Sequence, residues 1–201
     1  MERCNWTQNN PRLTAYHDEE WGVPVWNDNT MFEFIVLESF QAGLSWLTIL
    51  KKRKRFREVF DDFHVDSVAS YDEEKMVELM RDPGIIRNRR KIEAAVNNAR
   101  CFIDIRDEYG SFCQYLWNFV DGKPLQNSYD HWEDIPAKTE LSDIISRELK
   151  RRGFRFFGST ICYAHMQATG MVNDHENSCF RYEPVRELGQ RFAHTRHQDG
   201  F

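Results

Sequence analysis

Two pairs of metal-binding side chains lie far apart in this sequence of 201 residues. Cys4 and His17 form the first pair, and His175 and Cys179, four residues apart, form the second. Two thiolates and two imidazoles complete the tetrahedral shell of a zinc ion and leave no position for water. These residues therefore predict a structural zinc site that joins the N- and C-terminal segments. Incidental thiols and ordinary surface histidines are the alternative.

A carboxylate interrupts a long apolar segment in the first quarter of the chain. Glu38 lies within residues 31–40, which are apolar almost all round and are typical of a buried helix. Burying an unpaired ionised carboxylate costs several kcal/mol, so Glu38 requires a hydrogen-bond network or a cation. An internal ion pair, or a glutamate turned to solvent, would be a structural explanation. A cationic ligand would be a functional one.

Residues 149–160 predict a helix, a turn bounded by two glycines, and the start of a second helix. Gly153 and Gly158 allow the backbone to approach a phosphate, and the free N–H groups of Ser159 and Thr160 at the new helix start attract anions. Arg155 adds positive charge within the turn. This segment predicts a phosphate-binding hairpin, with a purely structural helix pair as the alternative.

Helical spacing dominates the rest of the chain and strand-like alternation is scarce, so we expect an all-α fold. Residues 125–138 look like an irregular connection, and Gly43 should interrupt the helical pattern after Phe40. The predicted helices run from Asp28 or Thr30 to Phe40, from Trp46 to about Phe60 with Ser45 as its cap, from Asp72 to Met80, from about Asn88 to Tyr109, from Ser111 to Val120, through residues 141–149, and from Gly158 to about Thr169.

No repeat or linker divides the chain, so we expect one globular domain over residues 1–180, with helical lobes that share a cleft, and a tail of unknown role over residues 181–201. No stretch approaches the roughly 18 apolar residues of a membrane helix. Without a secretory signal, and with five cysteines that suggest reduced thiols, we expect a cytoplasmic protein.

The charge is unevenly distributed, although the net charge is only −5. Residues 51–57, 87–91 and 147–155 hold fifteen of the 27 basic residues and one of the 32 acidic residues. Three such runs predict a shared basic surface for a polyanion. Solvated helix faces are the alternative.

Five blocks of the sequence, in order, resemble the 3-methyladenine DNA glycosylase I family of the helix-hairpin-helix DNA glycosylases, and the similarity extends to about Cys179. The blocks are Met1-Glu2-Arg3-Cys4 with Trp6, residues 15–24 around Tyr16 and Trp21, residues 37–46 from Leu37-Glu38 to Ser45-Trp46, residues 84–92, and residues 158–175. This resemblance implies a helix-hairpin-helix fold with a structural zinc ion on Cys4, His17, His175 and Cys179. It also implies a base pocket built from Trp6, Tyr16, Trp21, Glu38 and Trp46.

The family resemblance implies hydrolysis of the N-glycosidic bond of 3-methyladenine in alkylated double-stranded DNA, by a monomer, with free 3-methyladenine as product. Glu38 and Tyr16 would contact the edge of the cationic base and Trp46 would stack on its face. Gly43 and Leu44 would fill the gap left by the extruded base. No lysine is placed as a Schiff-base nucleophile, so we expect base removal without strand cleavage.

Two other interpretations remain open at the level of sequence. A non-enzymatic, zinc-stabilised DNA-binding module would bind DNA without releasing a base. A glycosylase for another cationic purine, such as 3-methylguanine, could use the same pocket.

Asp174 is the one carboxylate near the place where related glycosylases carry a catalytic aspartate. The resembling family lacks that catalytic residue, so we expect a structural role for Asp174.

Overall fold

Ten α-helices make up most of residues 1–8 and 10–198, the part of the chain that the computed structural model describes. They are α1 (Pro11–Glu19), α2 (Asp28–Gln41), α3 (Trp46–Val59), α4 (Val65–Ala69), α5 (Glu73–Arg81), α6 (Arg89–Tyr109), α7 (Phe112–Trp117), α8 (Glu140–Arg151), α9 (Ser159–Ala168) and α10 (Tyr182–Gln198). The prediction of a mainly helical fold is confirmed. Among these helices, none combines the length and the apolar character needed to cross a membrane.

The remaining regular structure is short. Four 3₁₀ helices cover Asn5–Thr7, Asp61–Phe63, Asn118–Val120 and Trp132–Asp134. Two strands of two residues each, β1 (Leu125–Gln126) and β2 (Val172–Asn173), pair in parallel, with Leu125 opposite Val172. The segment 125–138, predicted to be irregular, therefore contains one strand and one 3₁₀ turn.

Helix α2 lies at the centre of the molecule. Every residue from Met31 to Phe40 is buried, because α3, α6, α7 and α9 pack around it. This explains why its sequence shows no polar face. A carboxylate on this helix cannot reach solvent by turning outward.

Polar side chains fix the ends of several helices. Asn27 caps α2 by accepting the N–H of Thr30, so the expectation that Asp28 or Thr30 is the cap was wrong. Asp28 instead accepts the N–H groups of Phe112 and Cys113 at the start of α7, at 3.0 and 2.9 Å. It therefore joins two helix starts, where a negative charge is favourable.

The cap predicted for α3 is present in the structure, and α6 also begins with a side-chain cap. Ser45 accepts the N–H of Thr48 at the start of α3, and Asn88 caps α6. Gly110 ends α6 with a φ of 84°. These features set the length of α6, the longest of the described helices, at 21 residues.

The segment that follows Cys179 forms a helix packed on the core, although its sequence matched nothing that we could assign. Val185 of α10 is buried, and the ring of Phe192 lies 4.4 Å from that of Trp117 and 5.7 Å from that of Trp26. The described part of this segment therefore has a fixed place on the molecule.

Candidate functional site

A cavity of about 600 Å³ lies beside α2, between α1, α3 and α9. Its lining is mostly apolar and aromatic, with a few polar groups: Trp6, Gln8, Leu13, Tyr16, Trp21, Glu38, Gln41, Ser45, Trp46, Leu47, Trp132, Ala164, Gln167 and Ala168. Such a composition is typical of small-molecule sites. The structure thus brings together all five residues of the expected base pocket.

Glu38 is held in the cavity wall by one hydrogen-bond partner. Its side chain is 2 % exposed, and its Oε2 lies 2.8 Å from Nδ1 of His165, itself 1 % exposed. Nε2 of His165 lies 3.1 Å from the sulfur of Met31, a weak acceptor. His165 therefore fixes the orientation of the carboxyl group.

Burial raises the pKa of Glu38 above its ordinary value, because a charged carboxylate loses its hydration there. The charge and the hydrogen bond of His165 act in the opposite direction and partly offset this effect. Burial, together with the charges of Glu38 and Glu20, also raises the pKa of Tyr16 well above its ordinary value. Tyr16 is therefore a neutral phenol that can donate a hydrogen bond.

Aromatic rings form the walls of the cavity. The ring centroid of Trp6 lies 6.2 Å from that of Tyr16 and 5.1 Å from that of Trp21, and Tyr16 lies 5.3 Å from Trp46. Trp132 closes the group at 6.1 Å from Trp6. Spacings of this size are typical of packed aromatic pairs, and the resulting slot suits a flat ligand.

Three described residues that line the cavity carry buried polar atoms without partners. Among the described residues, Oε1 of Glu38 and the indole nitrogens of Trp6 and Trp46 are buried and have no hydrogen-bond partner. All three residues line the cavity. Unsatisfied buried groups are rare in folded proteins because each one costs free energy. An acceptor and two donors in one cavity indicate a site for a polar ligand.

A cluster of four possible metal ligands lies behind the aromatic wall. Cys4, His17, His175 and Cys179 are all buried, and their ligand atoms lie within 4.8 Å of one another. The sulfur of Cys179 is 3.4 Å from Nε2 of His17 and 3.5 Å from Nδ1 of His175, and the sulfur of Cys4 is 3.5 Å from the same Nδ1. These separations fit the edges of a tetrahedron whose centre lies about 2.0–2.3 Å from each ligand atom.

The outer nitrogens of both histidines have acceptors. Nδ1 of His17 lies 2.7 Å from the carboxylate of Asp18, and Nε2 of His175 lies 3.1 Å from the carbonyl oxygen of Trp21. These contacts leave the inner nitrogens as lone-pair donors, as metal-binding histidines require. The residues present therefore fit a bound metal ion.

The environment of Cys179 favours a thiolate, the form that binds metals. A hydrogen bond with Cys4, helped by hydrogen bonds with both histidines, lowers the pKa of Cys179 despite its burial, and the same bond raises the pKa of Cys4. The backbone N–H of Arg181 also approaches its sulfur, at 3.4 Å. One thiol of the cluster is thus favoured as a thiolate, and the other would lose its proton when a metal ion binds.

The turn between α2 and α3 projects beside the cavity. Gly43 has a φ of 80°, a conformation that favours glycine, and Leu44 is 42 % exposed although it is apolar. The neighbouring residues Ser45 and Trp46 line the cavity. An exposed leucine therefore stands at the mouth of the site.

The hairpin between α8 and α9 is present as the sequence predicted. Gly153 adopts a φ of 99° and is needed for the turn. Gly158 has a φ of −73°, and a Cβ added there would meet nothing within 4 Å. The fold itself therefore does not require glycine at 158. No side chain caps the start of α9, where Ser159 and Thr160 present their N–H groups.

The three basic runs are only partly available to a polyanion. Arg53 is buried and bonds to Glu20 and Glu33, while Lys91 is buried against backbone carbonyls. The expectation that these two residues share a basic surface was therefore wrong, because nearby acceptors hold them inside. Exposed basic residues remain on the hairpin, among them Lys150 near its start and Arg155 within the turn.

Asp174 does not line the cavity, and its carboxylate is fully used by the fold. It accepts hydrogen bonds from Tyr163 at 2.7 Å, from Gln167 at 2.8 Å and from Asn127 at 2.6 Å. These bonds connect α9 with the segments that follow β1 and β2.

Sequence reasoning missed several residues of the site, among them His165 and Trp132. His165 follows an apolar pattern in α9, so it looked like an ordinary core position, and Trp132 lies in a segment without helical spacing. The unexplained burial of Glu38 was the one signal that pointed to a partner such as His165.

Comparisons with known proteins agree with one another. A sequence model of the methyladenine glycosylase family matches residues 6–182. The chain is 46 % identical, over 90 % of its length and 97 % of the relative's, to DNA-3-methyladenine glycosylase 1 of Escherichia coli.

Solved structures show the same similarity. The chain superposes with a TM-score of 0.87 on 3-methyladenine DNA glycosylase I from Staphylococcus aureus, at 36 % identity, covering 90 % of this chain and 97 % of that one. It superposes equally well, at the same identity and covering 90 % and 98 %, on a variant of 3-methyladenine DNA glycosylase I in complex with 3-methyladenine.

Proposed function

The chain belongs to the methyladenine glycosylase family, and we propose that it removes 3-methyladenine from alkylated DNA by hydrolysing the N-glycosidic bond. The observation that carries this proposal is the buried Glu38, with one oxygen held by His165 and the other unpaired in an aromatic cavity. A carboxylate in this position selects a planar cation. N3-methylated adenine in DNA is such a cation.

Recognition of the base would use the unpaired atoms of the cavity. Oε1 of Glu38 accepts a hydrogen bond from the base edge and offsets its charge, while the neutral phenol of Tyr16 donates one. Trp46 lies over the face of the ring, where a cation is attracted to the indole. Trp6 and Trp21 close the slot. A neutral adenine would leave Glu38 without a counter-charge and would bind less well.

Hydrolysis requires little further activation. Methylation makes the adenine a good leaving group. The protein therefore raises the rate of hydrolysis mainly by extruding the base and holding it while an oxocarbenium-like sugar forms and water adds to that sugar. The lining residues of the cavity include no lysine. We therefore expect base removal without a covalent intermediate or strand cleavage.

Two elements would hold the DNA. Leu44, on its exposed turn, would enter the base stack at the position that the lesion leaves. The start of α9 would bind a backbone phosphate through the N–H groups of Ser159 and Thr160, with Arg155 nearby and Gly158 leaving room for the close approach. The exposure of Leu44 and the presence of glycine at 158, where the fold itself does not require it, support these roles.

A zinc ion on Cys4, His17, His175 and Cys179 would be structural. The cluster has two sulfur and two nitrogen donors, and all four residues are buried, so no position remains for substrate. The ring of Trp21 lies 4.6 Å from that of His175, so the metal would support one wall of the cavity.

Replacing Glu38 by Gln should abolish most excision of 3-methyladenine, because the charge that selects the cationic base in DNA is lost. It should also weaken the binding of free 3-methyladenine, because Oε1 no longer accepts a hydrogen bond as a carboxylate oxygen does. The measurements are chromatography of bases released from methylated DNA and calorimetric binding of the free base. Glu74→Gln, at an exposed position on α5, is the matched control and should behave like the parent. Unchanged excision by Glu38→Gln would remove Glu38 from the site.

The excision rate should fall as the pH falls through the raised pKa of Glu38, because the carboxylate must be ionised to hold the cation. The loss should begin above the ordinary range of a glutamate, since burial raises this pKa. His165→Phe removes the group that opposes the rise, so its acid limb should move to higher pH. His165→Asn keeps an N–H donor but not the charge, so its acid limb should lie between those of the parent and of His165→Phe. Identical single-turnover pH profiles for all three proteins would contradict this role of His165.

Gly158→Ala should weaken binding to a lesion-containing duplex by about tenfold or more, because the new methyl group keeps the phosphate away, without lowering the melting temperature. Fluorescence anisotropy and thermal unfolding measure the two effects. Binding of free 3-methyladenine serves as the internal control and should not change. If DNA affinity is also unchanged, the start of α9 does not contact the backbone.

The purified protein should contain one equivalent of zinc by elemental analysis, and Cys179→Ser should lose both the metal and thermal stability. Cys101→Ser is the control, because Cys101 lies outside the cluster. A metal-free parent protein whose melting temperature is insensitive to chelators would refute the zinc site.

A further inference from the structure

Lys91 is a buried lysine that the base pocket does not use. Its Nζ donates to the carbonyl oxygens of Phe40 at 2.8 Å and of Ala42 at 2.6 Å, at the end of α2. Carbonyl groups at a helix C-terminus attract cations, which offsets part of the cost of burial. Gly43 and Leu44 follow directly. Lys91 of α6 therefore anchors the backbone directly before the exposed turn at Gly43 and Leu44.

Asn98 makes an analogous contact with the hairpin. It is 1 % exposed, its Nδ2 donates to the carbonyl oxygen of Arg155 at 2.9 Å, and its Oδ1 accepts the N–H of Arg155 at 2.8 Å. Its neighbour Asn97 donates to the carbonyl oxygen of Gly153 at 2.8 Å. Both backbone polar groups of Arg155, in the middle of the hairpin, are thus bonded to α6.

The spacing of these contacts on α6 is regular. Lys91 and Asn98 are seven residues apart, so they lie on one face of the helix, about two turns or 10 Å apart along its axis. Helix α6 packs against α2, α4, α5 and α7. Helix α6 therefore bonds both to the backbone before the exposed turn and to the hairpin, the two elements that contact DNA in the proposed function.

We propose that α6 is a spacer that fixes the exposed turn at Gly43 and Leu44 relative to the hairpin, and that Lys91 and Asn98 are positioning residues for base extrusion. This inference rests on the proposed function. Extrusion needs the leucine in the stack and the phosphate on the hairpin at the same time. If the turn or the hairpin is mobile, DNA binding must first order that element, and the cost of ordering lowers the affinity for DNA.

The test compares Lys91→Met and Asn98→Leu with the parent protein in single-turnover excision of 3-methyladenine at increasing enzyme concentration. Each variant should raise the half-saturating concentration about tenfold, equivalent to about 1.4 kcal/mol. Binding of free 3-methyladenine should stay within about twofold of the parent, because the base cavity is intact. Arg100→Met is the matched control, since Arg100 of α6 bonds to the carbonyl of Ala69, away from the hairpin and the turn.

The double variant gives the sharper result. Once one contact is lost, the spacing is no longer fixed, so losing the second contact should add little. The half-saturating concentration of the double variant should therefore be close to that of the single variant with the lower DNA affinity. Effects that multiply to about a hundredfold would mean two independent contacts and would overturn the spacer. An unchanged half-saturating concentration in the single variants, or a parallel loss of free-base binding, would overturn it as well.

Milder variants guard against misfolding. Lys91→Arg and Asn98→Asp keep part of the bonding and should lie between the parent and the stronger variants. Binding to a duplex with an abasic-site analogue separates the two proposals. If the parent protein released no base, the proposed function would fail, while the ranking of the variants in this binding assay would still test the spacer.

Discussion

The proposed function depends on one carboxylate that the fold keeps out of water. Glu38 lies on a helix buried on all sides, with His165 as its partner and with one oxygen unsatisfied. A carboxylate in water binds cations weakly, because solvent screens the charge. The same group in an aromatic cavity discriminates strongly between a cationic and a neutral purine. In the proposed function, the cost of burying this carboxylate would be the source of the selectivity.

The surrounding scaffold follows from that requirement. The aromatic wall must stay closed for Glu38 to remain dry, and Trp21 connects this wall to the metal-ligand cluster through its ring and its carbonyl oxygen. The backbone at Gly170, after α9, approaches Val23 and Pro24 so closely that a Cβ there would lie 2.5 Å from backbone atoms. The segment that carries Trp21 is therefore enclosed on two sides.

Much of this arrangement could be predicted from the sequence, for identifiable reasons. Helix spacing, glycines and caps are local signals, so the hairpin and the long helix α6 were found with nearly correct ends. The four possible metal ligands have distinctive chemistry, and Glu38 was conspicuous because it broke an apolar run. The partner of Glu38 was not predictable, since His165 is 127 residues away and pairing across α2 and α9 depends on their packing. The inward orientation of Arg53 and Lys91 likewise depends on acceptors from distant segments.

The most direct measurement is ¹³C NMR of the carboxyl carbons in protein labelled at glutamate, with the Glu38 resonance assigned by its absence from the Glu38→Gln variant. The spectrum is recorded at neutral pH before and after addition of 3-methyladenine. The account predicts that the Glu38 signal shifts on binding and shows an ionised carboxylate in the complex. A protonated Glu38 in the complex, or a signal that does not respond to the ligand, would contradict it.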